Sequence, residues 1–76
     1  MKRYIKSNSD VERAIKDGYP RRIRGNDGYV ARLVGIQPLF DGEYLGVYRY
    51  PGGDACQDLE ELEYLVERGV FEILEQ

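Results

Sequence analysis

The stretch GYVARLVGIQPLFDGEYLGVYRYPGGD, residues 28–54, decides how this chain folds. Two runs rich in β-branched, aliphatic and aromatic residues flank Asp41-Gly42. That dipeptide suits a two-residue type I′ hairpin loop, whose central residues both need positive φ. Pairing Phe40 with Glu43 then sets Ile36 opposite Val47 and Gly35 opposite Tyr48. A six-residue loop pairing Gln37 with Tyr44 preserves the same two faces. Side chains alternate across a strand, so one face takes Arg32, Val34, Ile36, Leu45, Val47 and Arg49. The other takes Tyr29, Ala31, Leu33, Gly35, Leu39, Tyr44, Gly46, Tyr48 and Tyr50. The first face reads as an aliphatic core with an arginine rim. The second reads as a tyrosine-rich surface half-covered by a helix, with Gly35 leaving room for the Tyr48 ring.

Working outward, Asn26-Asp27-Gly28 marks a turn joining a short strand near 20–25 to the first hairpin strand near 29–37. Upstream, the spacing of Val11, Ala14 and Ile15 predicts a helix over 10–17. Ser9 and Glu12 stand at capping-box distance, and Gly18 and Pro20 end it. The run RYIK at 3–6 is an expected edge strand. Downstream, Pro51-Gly52-Gly53 is a turn leading to a strand near 54–57. Asp58 and Glu61 repeat the capping-box spacing. Leu59, Leu62, Leu65 and Val66 form the apolar stripe of a second helix, with Glu60, Glu61, Glu63 and Glu67 largely away from it. Arg68 and Gly69 close that helix, and VFEIL forms a last strand paired back into the sheet. These elements define one α+β domain over 1–76: a small, curved, mainly antiparallel sheet with two short helices. Strong curling would give it the shape of a small SH3-like barrel.

A 76-residue chain buries only about 60% of its unfolded surface, which leaves little material for a deep pocket. A shallow site or a partner-binding face is the natural expectation. Histidine is absent and Cys56 is the single cysteine, so neither a neutral-pH imidazole shuttle nor an internal disulfide is available. No metal or cofactor site is expected, and Cys56 reads as a small apolar group in a strand. The first ten residues lack the apolar run of a signal peptide, and no stretch is long enough to span a bilayer. A reducing cytoplasm is the expected compartment, without membrane contact. Charge is unevenly spread along the chain. Residues 1–53 carry ten Lys/Arg against six acids, whereas residues 54–76 carry eight acids against Arg68 alone.

Nothing here forms a catalytic motif, and an enzyme is not expected. Tyrosine and arginine are enriched at interface hot spots, and a row of carboxylates can occupy a basic partner surface. The expected function is therefore that of a small regulatory or inhibitory protein-binding module. Its contact residues would be Tyr48, Arg49, Tyr50, Glu60, Glu61 and Glu63. The alternative is a nucleotide or nucleic-acid binder using Arg22, Arg24, Tyr29 and Arg32, because guanidinium groups grip phosphate and tyrosine rings stack on bases. Gly52-Gly53 is explained by turn geometry, there being no phosphate-loop motif around it. The hairpin edges also offer a surface for a homodimer.

Overall fold

The computed structural model describes residues 8–76. The elements run α1 (Asn8–Lys16), β1 (Arg22–Gly25), β2 (Val30–Pro38), β3 (Tyr44–Tyr50), β4 (Gly53–Gln57), α2 (Leu59–Glu67) and β5 (Phe71–Glu75). The strand expected at 3–6 lies outside the described residues. The five strands form one antiparallel sheet in the order β4-β3-β2-β1-β5. Because β5 returns to pair with β1, the first strand of the meander becomes an interior one. Among the described residues β4 and β5 are the edge strands, so this is an α+β fold with an open, curved sheet and not a closed barrel.

The hairpin turn forms as its sequence predicts. Asp41 (φ 64°) and Gly42 (φ 75°) both lie in the left-handed region. The Glu43 N–H closes the turn on the Phe40 carbonyl at 3.2 Å. The register beyond it does not follow the expected pairing. The Leu39 N–H, not that of Phe40, donates to the Glu43 carbonyl at 2.8 Å. Pro38 is consequently paired with Tyr44, Ile36 with Gly46 and Gly35 with Val47. A second irregularity between Leu33 and Gly35 shifts the register once more, so that Leu33 faces Tyr48 and Arg32 faces Arg49.

Each one-residue slip exchanges the two faces of a strand relative to its partner. Two slips restore the original parity, but the segment between them is inverted. Ile36 therefore joins the tyrosine face, and Gly35 stands opposite Val47, not Tyr48. The physical reason is the core itself. Leu33 and Ile36 are three residues apart, so strict alternation would send them to opposite faces; the bulge at Val34 allows both to enter the same cluster.

That cluster corrects the expected distribution of the core. The buried residues Ala14, Tyr19, Ile23, Ala31, Leu33, Ile36, Tyr48 and Leu62 pack together. The tyrosine face is thus the main core face, and both helices lie on it through Ala14 and Leu62. Val47, pointing the other way, is also fully buried, while Val34 is only half-buried. Tyr48 enters the interior at low cost because its hydroxyl donates to the Pro20 carbonyl at 2.6 Å. An unmade hydrogen bond there would carry the full desolvation penalty of the group.

Gly46 accommodates an aromatic ring, that of Tyr19. A Cβ at Gly46 would stand 2.6 Å from two carbons of the Tyr19 ring and 3.3 Å from Tyr48. Tyr19 in turn stacks at a tilt on Tyr44, with ring centroids 5.7 Å apart.

The helices end where expected, on Gly18 and Gly69, both with positive φ. Their starts differ from expectation. Helix α1 is already under way at Asn8, so Ser9 sits in its first turn and not before it. Asp58 does occupy the N-cap of α2, yet its side chain makes no capping hydrogen bond.

Candidate functional site

Two exposed charged surfaces lie on opposite sides of the sheet. The first is a row of side chains running across all five strands. Register places Glu75 beside Arg22, Arg22 beside Arg32, Arg32 beside Arg49, and Arg49 beside Asp54. Alternation sends the row away from the helices, because the next residues in β1 and β3, Ile23 and Tyr48, enter the core. The outer arginines are held by the edge carboxylates. Arg22 Nε donates to Glu75 at 3.0 Å, and Arg49 grips Asp54 through two bonds of 2.8 and 3.1 Å. Hydrogen bonding to Asp54, followed by its charge, raises the Arg49 pKa further above its already high value. Arg32, at the centre, has no ion pair among the described residues. Arg22, Arg32 and Arg49 line a shallow depression together with Val30, Tyr50 and Pro51.

The second surface is the outward side of α2. Glu60, Glu63, Tyr64 and Glu67 share one side of the helix, and Glu61 adjoins them; all five are exposed. Leu62 is buried on the opposite side, with Leu59, Leu65 and Val66 half-buried around it. Tyr64 is 54% exposed. Its hydroxyl accepts from Arg68 at 3.1 Å, and the Arg68 guanidinium lies 5.6 Å from the ring centre. The charge imbalance along the chain is thus only partly carried into space. Among the described residues, the acids of β4 and β5 neutralise arginines, and those of α2 do not.

The structure sorts the expected contact residues. Tyr48 is 0% exposed and offers a partner nothing. It is a core residue, and the expectation that it lies at an interface is corrected by its burial beneath both helices. Tyr50 is half-buried at the edge of the arginine depression. Arg49 is exposed but committed to Asp54, while Glu60, Glu61 and Glu63 stand together as expected. Among the residues of the nucleotide alternative, Arg22 and Arg32 share the cross-sheet row. Arg24 lies on the same face but is tied to Glu72 at 2.7 Å. Tyr29, 57% exposed, borders a separate hollow with Asp27, Tyr50, Pro51 and Gly52. The convergence of Arg22, Arg32 and Arg49 could not be read from the sequence, because it depends on three strand registers at once.

Sequence reasoning also passed over Phe40. It lies at the hairpin tip and is 90% exposed, next to Leu39 at 48%. Its place immediately before Asp41-Gly42 was the available signal, since the residues flanking a two-residue loop stand at the end of the ribbon.

A third cluster, around Tyr44, is structural. The Tyr44 hydroxyl donates to Asp17 in a short hydrogen bond, and the Arg13 guanidinium lies 4.7 Å from the ring centre. Burial, reinforced by Asp17, pushes the Tyr44 pKa up, so this phenol stays protonated. The trio fastens the end of α1 to the start of β3. Among the described residues, no group of three His, Cys, Asp or Glu side chains is placed to hold a metal ion. No helix among them is long and apolar enough to cross a membrane. Cys56, half-buried on the edge strand β4, is paired with Val47.

No family model matches this chain, and no curated protein or solved structure matches it significantly.

Proposed function

We propose that this protein is a small, non-enzymatic binding module that docks a basic surface of a protein partner through the outward side of α2. The observation that carries the proposal is the contrast between two sets of carboxylates. Asp54, Glu72 and Glu75 are each matched to an arginine on the sheet. Glu60, Glu61, Glu63 and Glu67 are exposed and carry no ion pair among the described residues. Like charges one helical turn apart destabilise a helix by a few tenths of a kcal/mol per pair. A basic partner would relieve that repulsion. Tyr64 supplies contact area within the acidic row, in the manner of aromatic hot-spot residues.

The test is recovery of partners by a tagged chain from its native cell extract after nuclease treatment. The comparison is with a variant carrying E60K, E63K and E67K. The wild-type chain should retain a basic protein at low salt and release it as salt rises, because exposed ion pairs are screened. The variant should lose that protein while melting at nearly the same temperature, because three lysines at the same spacing repel one another much as the three glutamates do. Equal recovery by both chains would exclude α2 as the contact.

A further inference from the structure

The centre of the arginine row has a cost without a structural return. Like charges placed directly opposite on neighbouring strands destabilise a sheet, and here three guanidinium-bearing residues are consecutive cross-strand neighbours. The edge acids offset the outer two. Arg32 makes no ion pair or side-chain hydrogen bond among the described residues, so nothing on the sheet offsets its charge. The outer two also retain donors. A guanidinium has five N–H groups; Arg22 commits Nε to Glu75, and Arg49 commits Nε and one terminal nitrogen to Asp54. The carboxylates fix the outer side chains while leaving further N–H groups on both sides of Arg32.

We propose that Arg22, Arg32 and Arg49 form a binding site for a single phosphoryl group, as carried by a nucleoside monophosphate. Three features select that ligand. First, the charge is local: Glu75 and Asp54 close both ends of the row, so an anion extending along it would meet a carboxylate at either edge of the sheet. One compact dianion over Arg32 meets only guanidinium groups. Second, charge-assisted and bidentate hydrogen bonds suit arginine to phosphate. Third, the same depression is bordered by Val30, Tyr50 and Pro51, an apolar margin against which a base can lie. This site is on the side of the sheet away from α2, so it does not depend on the protein contact proposed above.

The test follows the arginine side-chain Nε–H signals of the isotope-labelled full chain by nuclear magnetic resonance. Inorganic phosphate, ribose phosphate, AMP and a short single-stranded RNA are titrated in turn, with ionic strength held constant by chloride. AMP should shift Arg22, Arg32 and Arg49 saturably at millimolar concentration and leave Arg24 in place. Stacking should make AMP bind at least about fivefold more tightly than ribose phosphate. R32Q should weaken AMP binding about tenfold or more, the scale of a charged hydrogen bond. Without ligand, R32Q should melt no lower than the wild type, because it removes a repelled charge; a structural role for Arg32 would lower the melting temperature instead. Absence of a saturable shift, undiminished binding by R32Q, or AMP binding no tighter than ribose phosphate would overturn the proposal. So would RNA binding more tightly per phosphate than AMP, since that would make the row a nucleic-acid track.

Discussion

Replacing Gly46 by alanine tests the packing on which the fold rests. The added Cβ would stand 2.6 Å from two Tyr19 ring carbons, closer than carbon atoms approach without movement. The ring has little freedom to retreat. Tyr19 is 3% exposed, belongs to the main core cluster and leans on Tyr44. Overpacking of this kind costs about 1–3 kcal/mol. Alanine recovers part of that, about 0.4–1 kcal/mol, by restricting the unfolded chain. A net loss of about 1–2 kcal/mol follows, and each kcal/mol lowers the Tm of a domain this size by roughly 4–8 °C.

Urea unfolding should be measured for G46A alone and in a Y19L background, where the ring is gone. The cost of G46A should fall to near zero or change sign beside Y19L. Gly42 supplies the contrast. A Cβ there would meet nothing within 4 Å, but φ is 75°. G42A should therefore lose about 1–2 kcal/mol through backbone conformation alone, whatever residue occupies position 19. A wild-type-like G46A, or an equal loss in both backgrounds, would refute the steric account of the Gly46–Tyr19 contact.

Other outcomes follow from the same packing. Burial raises the pKa values of Tyr19, Tyr44, Tyr48 and Tyr50. Each therefore keeps its proton in the folded chain after the unfolded chain has lost it. Stability should accordingly be insensitive to tyrosine ionisation below about pH 9 and fall as pH rises through about 10, as urea midpoints measured across that range would show. Y48F should flatten this alkaline decline, whereas Y48A should lose about 3–5 kcal/mol, as expected for an aromatic core residue. F40S, at the exposed hairpin tip, should change stability by no more than about 0.5 kcal/mol in the same assay.

The local chemistry of the chain was legible in advance. Asp41-Gly42 specified a left-handed turn, Gly18 and Gly69 ended the helices, and simple alternation placed Arg32 and Arg49 opposite the side taken by Tyr48. The acidic side of α2 was equally plain, because helical spacing alone separates Glu60, Glu63 and Glu67 from Leu62. These features arise from preferences of a few neighbouring residues, which the chain carries wherever it goes.

Tertiary packing decided the remainder. Two one-residue bulges leave no mark in the sequence, yet they move Ile36 into the tyrosine face and make that face the main core. The Tyr19 ring, supplied by the link between α1 and β1, is what keeps Gly46 bare. The return of β5 to β1 puts Glu72 and Glu75 beside Arg24 and Arg22, cancelling charge that the sequence presents as segregated. It also completes the row in which Arg32, among the described residues, is the arginine without a counter-ion. These are long-range choices, made by whichever arrangement fills the core and pairs the backbone together, and no single segment contains the information to make them.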